Sequence, residues 1–352
     1  MKIVDLFSGV GGLSLGFHLA GFKSDIAIEY NSNIAAGFAE NFPNTKLINK
    51  DINDINLLDL LGPLDGKDYI LIGGPPCQGF SQKGKRLGLN DERNFMFLKY
   101  IEAVKYLKPK AILIENVPGI ITAENGYFIK DIESKLNSLG YNIFYKVLDA
   151  AEYGVPQIRK RAFIVGVVNS NIGFDWPKGN EHKVSVEHAI SDLPPLNSGE
   201  GKKEMQYQSL PQSEYQNIMR KNSTVIYNHV STRHSPLVLE RLSLIPENGG
   251  RNDLPAEHLT KSTFSGTWCR LSKTDQARTI TTRFDTPSSG MFTLPTQNRC
   301  LTVREAARLQ SFPDTFKFVG NKSTQMLQVG NAVPPLLSFA IAKQLKKHLG
   351  LV

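Results

Sequence analysis

Cys77 is the side chain with the clearest chemical potential in this 352-residue chain. It follows an apolar run at 69–72, which predicts a buried strand, and a Gly-Gly-Pro-Pro turn at 73–76. The glycines allow a sharp turn and the prolines stiffen its exit, so we expect the thiol on a rigid elbow. Lys85 and Arg86 follow, and reactive thiols are found in such electropositive surroundings. A lone cysteine is more often an inert core residue, so its neighbours must decide between these interpretations.

Glu115 supplies a carboxyl group at the end of another apolar run, at 111–114. A thiolate and a carboxyl group in one pocket suit conjugate addition to an electron-poor ring, because the sulfur can attack a ring carbon while the acid protonates a ring nitrogen. A cysteine hydrolase needs a histidine base, and none of the seven histidines lies near these strand ends in sequence. No His/Cys/Asp cluster has the spacing of metal ligands, so no metal is predicted.

Alternating strands and helices would bring these groups to one edge of a sheet. Periodicity predicts strands at 2–6, 24–28, 46–48, 69–72, 111–114, 141–147 and 161–168, and helices at 13–20, 31–41, 93–107 and 126–138. The pattern predicts an α/β fold with a doubly wound, mostly parallel sheet. Such sheets bind ligands at the carboxyl ends of their strands. The residues at those ends are Gly9, Glu29, Asp51, Cys77 and Glu115.

The turn at 7–12, Phe-Ser-Gly-Val-Gly-Gly, joins the first strand to its helix and would let a ligand approach the helix N-terminus. A dinucleotide fingerprint has a third glycine where Ser14 stands, so a nicotinamide site is incomplete here. Glu29 ends the second strand, where an acid is suited to binding ribose hydroxyls. Asp51 could accept from an adenine edge, although a helix cap is the better interpretation from local sequence.

The composition changes near Trp176, after which the chain is rich in Ser, Asn, Gln and Pro and only weakly periodic. We therefore expect a catalytic and cofactor-binding domain at 1–176, completed by a C-terminal helix at 326–352, and a smaller loop-rich recognition domain at 177–325. Thr302 and Glu305 form a predicted capping box that opens a helix through Gln310.

The chain is basic, with a formal net charge of +8 and a pI near 9.2. A basic balance favours polyanion partners but is weak evidence alone, and the basic, hydroxyl-rich stretch at 261–283 is as easily a solvated surface. No apolar run is long enough to span a membrane, and the N-terminus begins a strand and is not expected to be a signal peptide. The three cysteines fit neither a disulfide framework nor a zinc site, which favours a cytoplasmic location.

Several motifs in a fixed order resemble those of the cytosine-C5 DNA methyltransferases, specifically the compact bacterial restriction-modification enzymes. They are Phe-Ser-Gly-Val-Gly-Gly at 7–12, Pro-Pro-Cys-Gln at 75–78, Glu-Asn-Val at 115–117, Gln-Ile-Arg-Lys-Arg at 157–161, the run at 301–314, and Gly-Asn-Ala-Val at 330–333. Each motif is modestly specific and the ordered set is very specific. Only about 178–273 lies outside the matches.

The resemblance implies a role for each matching residue. S-adenosylmethionine would lie against Phe7, Gly9, Gly11, Gly12, Glu29, Tyr30, Asp51, Ile52, Pro75 and Asn331. The target cytosine would be flipped out of the duplex, and Cys77 would add to its carbon 6. Glu115 would act at ring nitrogen 3 and Arg161 at the exocyclic oxygen, while Arg159 would position the Cys77 loop or contact a phosphate.

Double-stranded DNA is the partner that the resemblance implies, with a cognate restriction endonuclease as a possible companion and a monomer as the expected state. Gln78 and Ser81 would belong to a mobile loop that closes on DNA. Candidate base-reading residues in the variable stretch are Arg233, Arg241, Arg251 and Arg270, each of which could instead contact a phosphate or only solvent. Three alternatives stay open: a transfer-RNA cytosine methyltransferase on the same scaffold, a nicotinamide oxidoreductase, and a catalytically silent DNA-binding protein.

Overall fold

The structure is a computed structural model that describes residues 1–76, 95–168, 173–260 and 266–351. Cys77, Gln78 and Ser81, and with them the predicted mobile loop, lie outside the described residues. The start of the basic stretch at 261–283 does so as well.

A seven-stranded sheet forms the centre of the first half of the chain. Its strands are β1 (Lys2–Leu6), β2 (Lys23–Ile28), β3 (Lys46–Ile48), β4 (Tyr69–Gly73), β5 (Ala111–Asn116), β6 (Tyr141–Asp149) and β7 (Lys160–Val168). The order across the sheet is β3-β2-β1-β4-β5-β7-β6, and β7 runs antiparallel to both of its neighbours while the other pairs are parallel. The predicted mostly parallel α/β sheet is confirmed.

The helices that follow these strands are α1 (Gly12–Leu19), α2 (Ser32–Asn41), α3 (Leu57–Leu61), α4 (Phe95–Leu107), α5 (Gly119–Thr122) and α6 (Tyr127–Asn137). Later elements are α7 (Val186–Ile190), β8 (Gly201–Gln206), α8 (Glu214–Arg220), β9 (Val225–Val230), α9 (Pro236–Leu244), α10 (Val303–Leu309), α11 (Lys322–Asn331) and α12 (Pro335–His348). No helix among the described residues is long and apolar enough to cross a bilayer.

The central strands are buried on both faces, which explains why they read as continuous apolar runs. Every residue of β4 is buried, and β5 is buried except at Glu115. Helices α4 and α6 pack on this sheet, where the rings of Phe97 and Phe128 meet edge to face at 5.2 Å. Burying each large apolar side chain contributes about 1.5–3 kcal/mol, so this layer stabilises the edge that carries the polar residues.

The chain divides into two compact units. The first comprises Met1–Asp149, Lys160–Gly179 and Leu337–Val352, and the second comprises Ala150–Arg159 and Asn180–Leu336. These bounds differ from the predicted domains at three places, since 150–159 and 326–336 belong to the second unit and 177–179 belong to the first. Residues 150–159 join the second unit because their backbone bonds to it: Ile158 N–H donates to the Ala277 carbonyl, and Ala277 N–H donates to the Pro156 carbonyl.

The second unit has little regular structure and is held by buried charges. Arg308 donates to Asp192 and Asp314, and Arg299 forms a two-pronged pair with Glu305 at 2.8 Å on each side. The predicted capping box at Thr302 and Glu305 is present and opens α10. Charge-assisted bonds of this kind replace much of the backbone pairing that a sheet supplies in the first unit.

Candidate active site

The exits of four parallel strands lie at one edge of the sheet because the strands are in register. Leu6 pairs with Ile28 on one side and with Gly73 on the other, and Gly73 pairs with Ile114. The residues that follow these positions are therefore neighbours, as the sequence predicts.

Glu115 and Arg161 meet at this edge. Arg161 Nε lies 3.0 Å from Glu115 Oε1, and their side chains are 16% and 14% exposed. Strands β5 and β7 bring them together, because Glu115 is opposite Phe163 and Arg161 is the diagonal neighbour two residues away on the same face. The pair is largely buried, and the guanidinium fixes the orientation of the carboxyl group at the sheet edge.

The segment that leads to Cys77 runs directly past this pair. A Cβ on Gly74 would lie 3.2 Å from Glu115 Oε2, so glycine leaves room for the carboxyl group. Asn116 Nδ2 donates to the Pro75 carbonyl at 2.9 Å and ties the segment to β5. The described part of this segment, which ends at Pro76, is therefore held beside the strand that carries Glu115. Asn116 was part of a predicted motif but had no assigned role.

The turn between β1 and α1 adopts a backbone that few side chains tolerate. Phe7, Gly9 and Gly11 have φ values of 59°, 58° and 96°, all in the left-handed region. A non-glycine residue there is strained, and such strain concentrates at ligand sites. A Cβ on Gly9 would meet no atom within 4 Å, so there is open space beside the turn.

Glu29 reaches into this turn from the end of β2. Gly9 N–H donates to its Oε2 at 3.0 Å and Asn31 N–H donates to its Oε1 at 2.8 Å. The residue is 6% exposed, and burial raises the pKa of the carboxyl group while these backbone donors oppose the rise. A carboxylate keeps further acceptor capacity after two bonds, which a ribose hydroxyl could use.

Asp51 and Ile52 follow β3. Asp51 caps a short helical turn, because its Oδ1 accepts from Asn53 N–H at 2.9 Å, and the cap interpretation from local sequence is therefore confirmed. The Asp51 side chain is exposed and Ile52 is buried, while Tyr30 is 70% exposed. An adenine contact at Asp51 is compatible with the cap and stays a prediction, as does the cofactor contact at Tyr30.

Ser14 occupies the position where a dinucleotide fingerprint has glycine, and the structure shows why. Its hydroxyl is buried in α1 and donates to Asp5 Oδ2 at 2.6 Å. Asp5 is fully buried, and desolvation raises the pKa of its carboxyl group to about 7. The serine thus satisfies a buried acid beneath the turn, which a glycine could not do.

Arg159, a predicted phosphate contact, is buried inside the second unit. It is 1% exposed, and it donates through Nη1 to the Ile280 carbonyl and through Nη2 to the Gly330 carbonyl within the second unit. A guanidinium buried against carbonyls cannot also reach a phosphate in solvent, so the burial argues against that predicted contact. Its positioning of the Cys77 loop stays a prediction.

Gln157 of the same motif is also an internal cross-link that sequence reasoning missed. Its Nε2 donates to the Leu309 carbonyl and to Gln310 Oε1, and its Oε1 accepts from Ile280 N–H. Within the motif at 157–161, only the end of the run, with Arg161, belongs to the first unit. Asn331 ends α11 in the second unit and is exposed, and its cofactor role stays a prediction.

The four candidate base-reading arginines separate by burial. Arg270 is 5% exposed and donates to the carbonyls of Leu242, Ile245, Leu294 and Gln297, so it holds the fold and does not face solvent. Arg251 donates to the Thr260 carbonyl, and Arg241 lies 5.5 Å from the Trp268 ring. Arg233 is exposed and stays a candidate.

The described cysteines do not compete with Cys77 for a chemical role. Cys269 and Cys300 are free thiols, and burial raises the pKa of Cys300 to about 12, which keeps it protonated and unreactive. Among residues 1–76, 95–168, 173–260 and 266–351, no group of three or more His, Cys, Asp or Glu side chains could hold a metal ion.

Comparison with known proteins agrees with this geometry. Residues 1–347 match the C-5 cytosine-specific DNA methylase family. The chain is 37% identical to the type II methyltransferase M.DdeI of Desulfomicrobium norvegicum, covering 98% of this chain and 88% of that protein. It is 36% identical to the type II methyltransferase M1.HphI of Haemophilus parahaemolyticus, covering 99% of this chain and 87% of that one.

Solved structures show the same fold. A protein assigned as a DNA modification methyltransferase, encoded within an E. coli prophage, superposes with a TM-score of 0.81 at 28% identity and 99% coverage of both chains. The Entamoeba histolytica methyltransferase EhMeth superposes with a TM-score of 0.64 at 16% identity, covering 99% of this chain and 98% of that one. The family match over nearly the whole length, together with the acid and arginine beside the Cys77 segment, places this chain in the C-5 cytosine-specific DNA methylase family, and it is an enzyme of that type.

Proposed function

We propose that this chain transfers a methyl group from S-adenosylmethionine to carbon 5 of a flipped-out cytosine in a specific duplex DNA sequence. The observation that carries the proposal is the ion pair of Glu115 and Arg161 beside Gly74, at the head of the segment that bears Cys77. Type II relatives support a role as the methylase of a restriction-modification system. A partner nuclease, a monomeric state and a cytoplasmic location belong to this proposal.

The chemistry follows from the two side chains. The Cys77 thiolate adds to carbon 6 of cytosine while the Glu115 carboxyl group gives its proton to ring nitrogen 3, so negative charge does not accumulate on the ring. Arg161, at 3.0 Å, stabilises the carboxylate that is left behind. Carbon 5 then carries the electron density to accept a methyl group. Loss of the carbon 5 proton to a base, release of the Cys77 thiolate and return of the nitrogen 3 proton to Glu115 restore the ring and the starting side chains.

The residues around the β1 turn fit the methyl donor. Open space lies beside Gly9, the Glu29 carboxyl group accepts from its N–H, and the partly buried Phe7 supplies apolar surface. S-adenosylmethionine contributes a sulfonium-activated methyl group when bound. Glu29 would hold the ribose, and Asp51, exposed at its cap, would accept from the adenine edge.

Two alternatives are less well supported. A nicotinamide oxidoreductase is disfavoured by Ser14, which holds a buried acid in place of the third fingerprint glycine, and by the family match. A transfer-RNA substrate would use the same ring chemistry, but the family model and the type II relatives favour DNA.

Bisulfite sequencing of DNA from cells that express the chain tests the proposal. We expect protected cytosines at one recurrent sequence, and none in cells that express Cys77→Ala. Labelled methyl transfer to transfer RNA and not to DNA would contradict the choice of substrate. Methylation by Cys77→Ala at the wild-type rate would contradict the covalent mechanism.

A further inference from the structure

The turn that follows β2 is fixed by a side chain with no assigned role. Asn49 Nδ2 donates to the Glu29 carbonyl at 2.7 Å and to the Tyr30 carbonyl at 3.1 Å. One amide group therefore holds two successive carbonyls, which belong to Glu29, the proposed ribose contact, and to Tyr30, a predicted cofactor contact.

The backbone around this turn has few other restraints. Strand β3 is three residues long, and Glu29 N–H donates to the Ile48 carbonyl at 3.2 Å as the last rung beyond it. Asn49 follows that rung directly. Without its side chain, the turn would depend on one long backbone bond, on the bond from Asn31 N–H to the Glu29 carboxyl group, and on the Asn31 cap of α2.

The orientation of the Glu29 carboxyl group depends on the same turn. Its Oε1 accepts from Asn31 N–H, inside the turn, and its Oε2 accepts from Gly9 N–H across the edge. A shift of the Glu29 and Tyr30 peptide planes would move Asn31 N–H and rotate the carboxyl group away from Gly9. The backbone held by Asn49 and the position of the acid are therefore coupled.

We propose that Asn49 is a positioning residue for cofactor binding, which acts by holding Glu29 and the Tyr30 backbone in the orientation that receives the ribose. The inference rests on the proposed function and deepens it. Asn49 is exposed and far in sequence from Cys77 and Glu115, so its loss should weaken cofactor binding and leave the chemistry on a saturated enzyme intact.

Asn49→Asp is the sharpest test, because it keeps the shape of the side chain and replaces two N–H donors with an acceptor that faces two carbonyl oxygens. We expect the KM for S-adenosylmethionine to rise about tenfold, as for the loss of one good hydrogen bond and the gain of a repulsion, with kcat within about twofold. The KM for DNA should not change. Asn49→Ala should show the same pattern with a smaller rise.

Asn44→Asp is the matched control, since Asn44 is exposed on the turn before β3 and adds the same charge. Calorimetric titration with S-adenosylhomocysteine gives a readout that does not need turnover, and thermal unfolding checks that each variant is folded. If Asn49→Asp does not fold, the same measurements on Asn49→Ala test the inference. Unchanged cofactor binding in the Asn49 variants, or a loss confined to kcat, would overturn the inference. A wild-type chain that binds no S-adenosylhomocysteine or S-adenosylmethionine would instead overturn the proposed function itself.

Discussion

In the first unit, Glu115 and Arg161 form an ion pair at a strand edge with 14% and 16% of their side chains exposed, whereas in the second unit Arg308 and its partners Asp192 and Asp314 are fully buried. A sheet with an apolar core already stabilises the first unit, so its edge charges are available for chemistry. The second unit lacks such a sheet and uses its charges to hold irregular loops together. The same residue types therefore form the proposed catalytic pair in one region and stabilise the architecture in the other.

Two arginines of one motif show this difference between the units although they are only two residues apart. Arg161 meets the Glu115 carboxyl group, while Arg159, two positions earlier, is buried against the carbonyls of Ile280 and Gly330. Side chains two positions apart on a strand share a face, but β7 begins at Lys160, so Arg159 lies before the strand and belongs to the second unit. Sequence reasoning alone could not separate them.

The largest expected effect comes from changing the acid. Glu115→Gln keeps the shape and removes the proton that ring nitrogen 3 requires, so we expect kcat to fall by about 10²–10⁴-fold with little change in the free energy of unfolding. Initial rates of methyl transfer at saturating DNA and cofactor check this. A rate within a few fold of wild type would remove Glu115 from its role.

Arg308→Met should have a large effect on stability, whereas the Glu115 change affects the rate. It removes the cation that the two buried aspartates share and leaves only Arg220 beside Asp192 and Arg304 beside Asp314, and breaking such a buried network costs about 3–5 kcal/mol in the free energy of unfolding. Arg283→Met is the control, because that side chain is 66% exposed and its pair with Asp285 should contribute less than about 1 kcal/mol. Denaturant unfolding measures both, and equal losses would contradict the contrast between the units.

Arg161→Lys should lower activity and Arg159→Lys should lower stability, each by a moderate amount. Lysine keeps the charge but loses the planar fork. We expect Arg161→Lys to slow methyl transfer by about tenfold while remaining as stable as wild type, because only one ion-pair geometry is lost. Arg159→Lys should instead lower the melting temperature, since it loses at least one of two buried bonds to carbonyls. A reversal of the two outcomes would contradict the assignment.

The last prediction is a pH dependence of stability that has opposite sign in the two units. Burial raises the pKa of Asp5 to about 7 from its ordinary 3.8, so its contribution to stability is full below pH 3.8 and is lost as the pH rises to 7. The Arg299 guanidinium lowers the pKa of Glu305 to about 2, so that contribution is present above pH 4.5 and is lost as the pH falls towards 2.

Unfolding measurements at several pH values check this contrast. Asp5→Asn should gain stability relative to wild type as the pH rises from 4 to 7. Glu305→Gln should show its deficit relative to wild type above pH 4.5 and lose it in acid. Variants whose free energy of unfolding runs parallel to that of wild type across pH would show that these groups are not perturbed.

The fold of the first unit could be predicted because its signals are local. Apolar runs at 69–72 and 111–114 mark buried strands, and the turns and acids that follow them mark the ligand edge. Asn49 and Asn116 were missed as positioning residues because one polar residue after a strand has no distinctive pattern. Their importance comes from which carbonyl they reach.

The second unit could not be predicted in the same way because its determinants are distant in sequence. Arg308 pairs with Asp192 across 116 residues, and Gln157 donates to the Leu309 carbonyl across 152. Contacts between residues so far apart in sequence leave no periodic pattern from which they could be predicted. Arg270 shows the consequence, since a basic residue in a polar stretch was a reasonable DNA contact until its carbonyl partners were known.

The most direct test of the central claim is covalent capture on DNA that contains 5-fluorocytosine. Fluorine at carbon 5 cannot leave as the proton does, so the adduct should persist once the methyl group has been transferred. We predict a complex of enzyme and DNA that survives denaturing electrophoresis, requires S-adenosylmethionine, and gives a DNA-linked peptide at Cys77. Absence of the complex from an enzyme that methylates ordinary DNA, or its persistence in Cys77→Ala, would contradict the account.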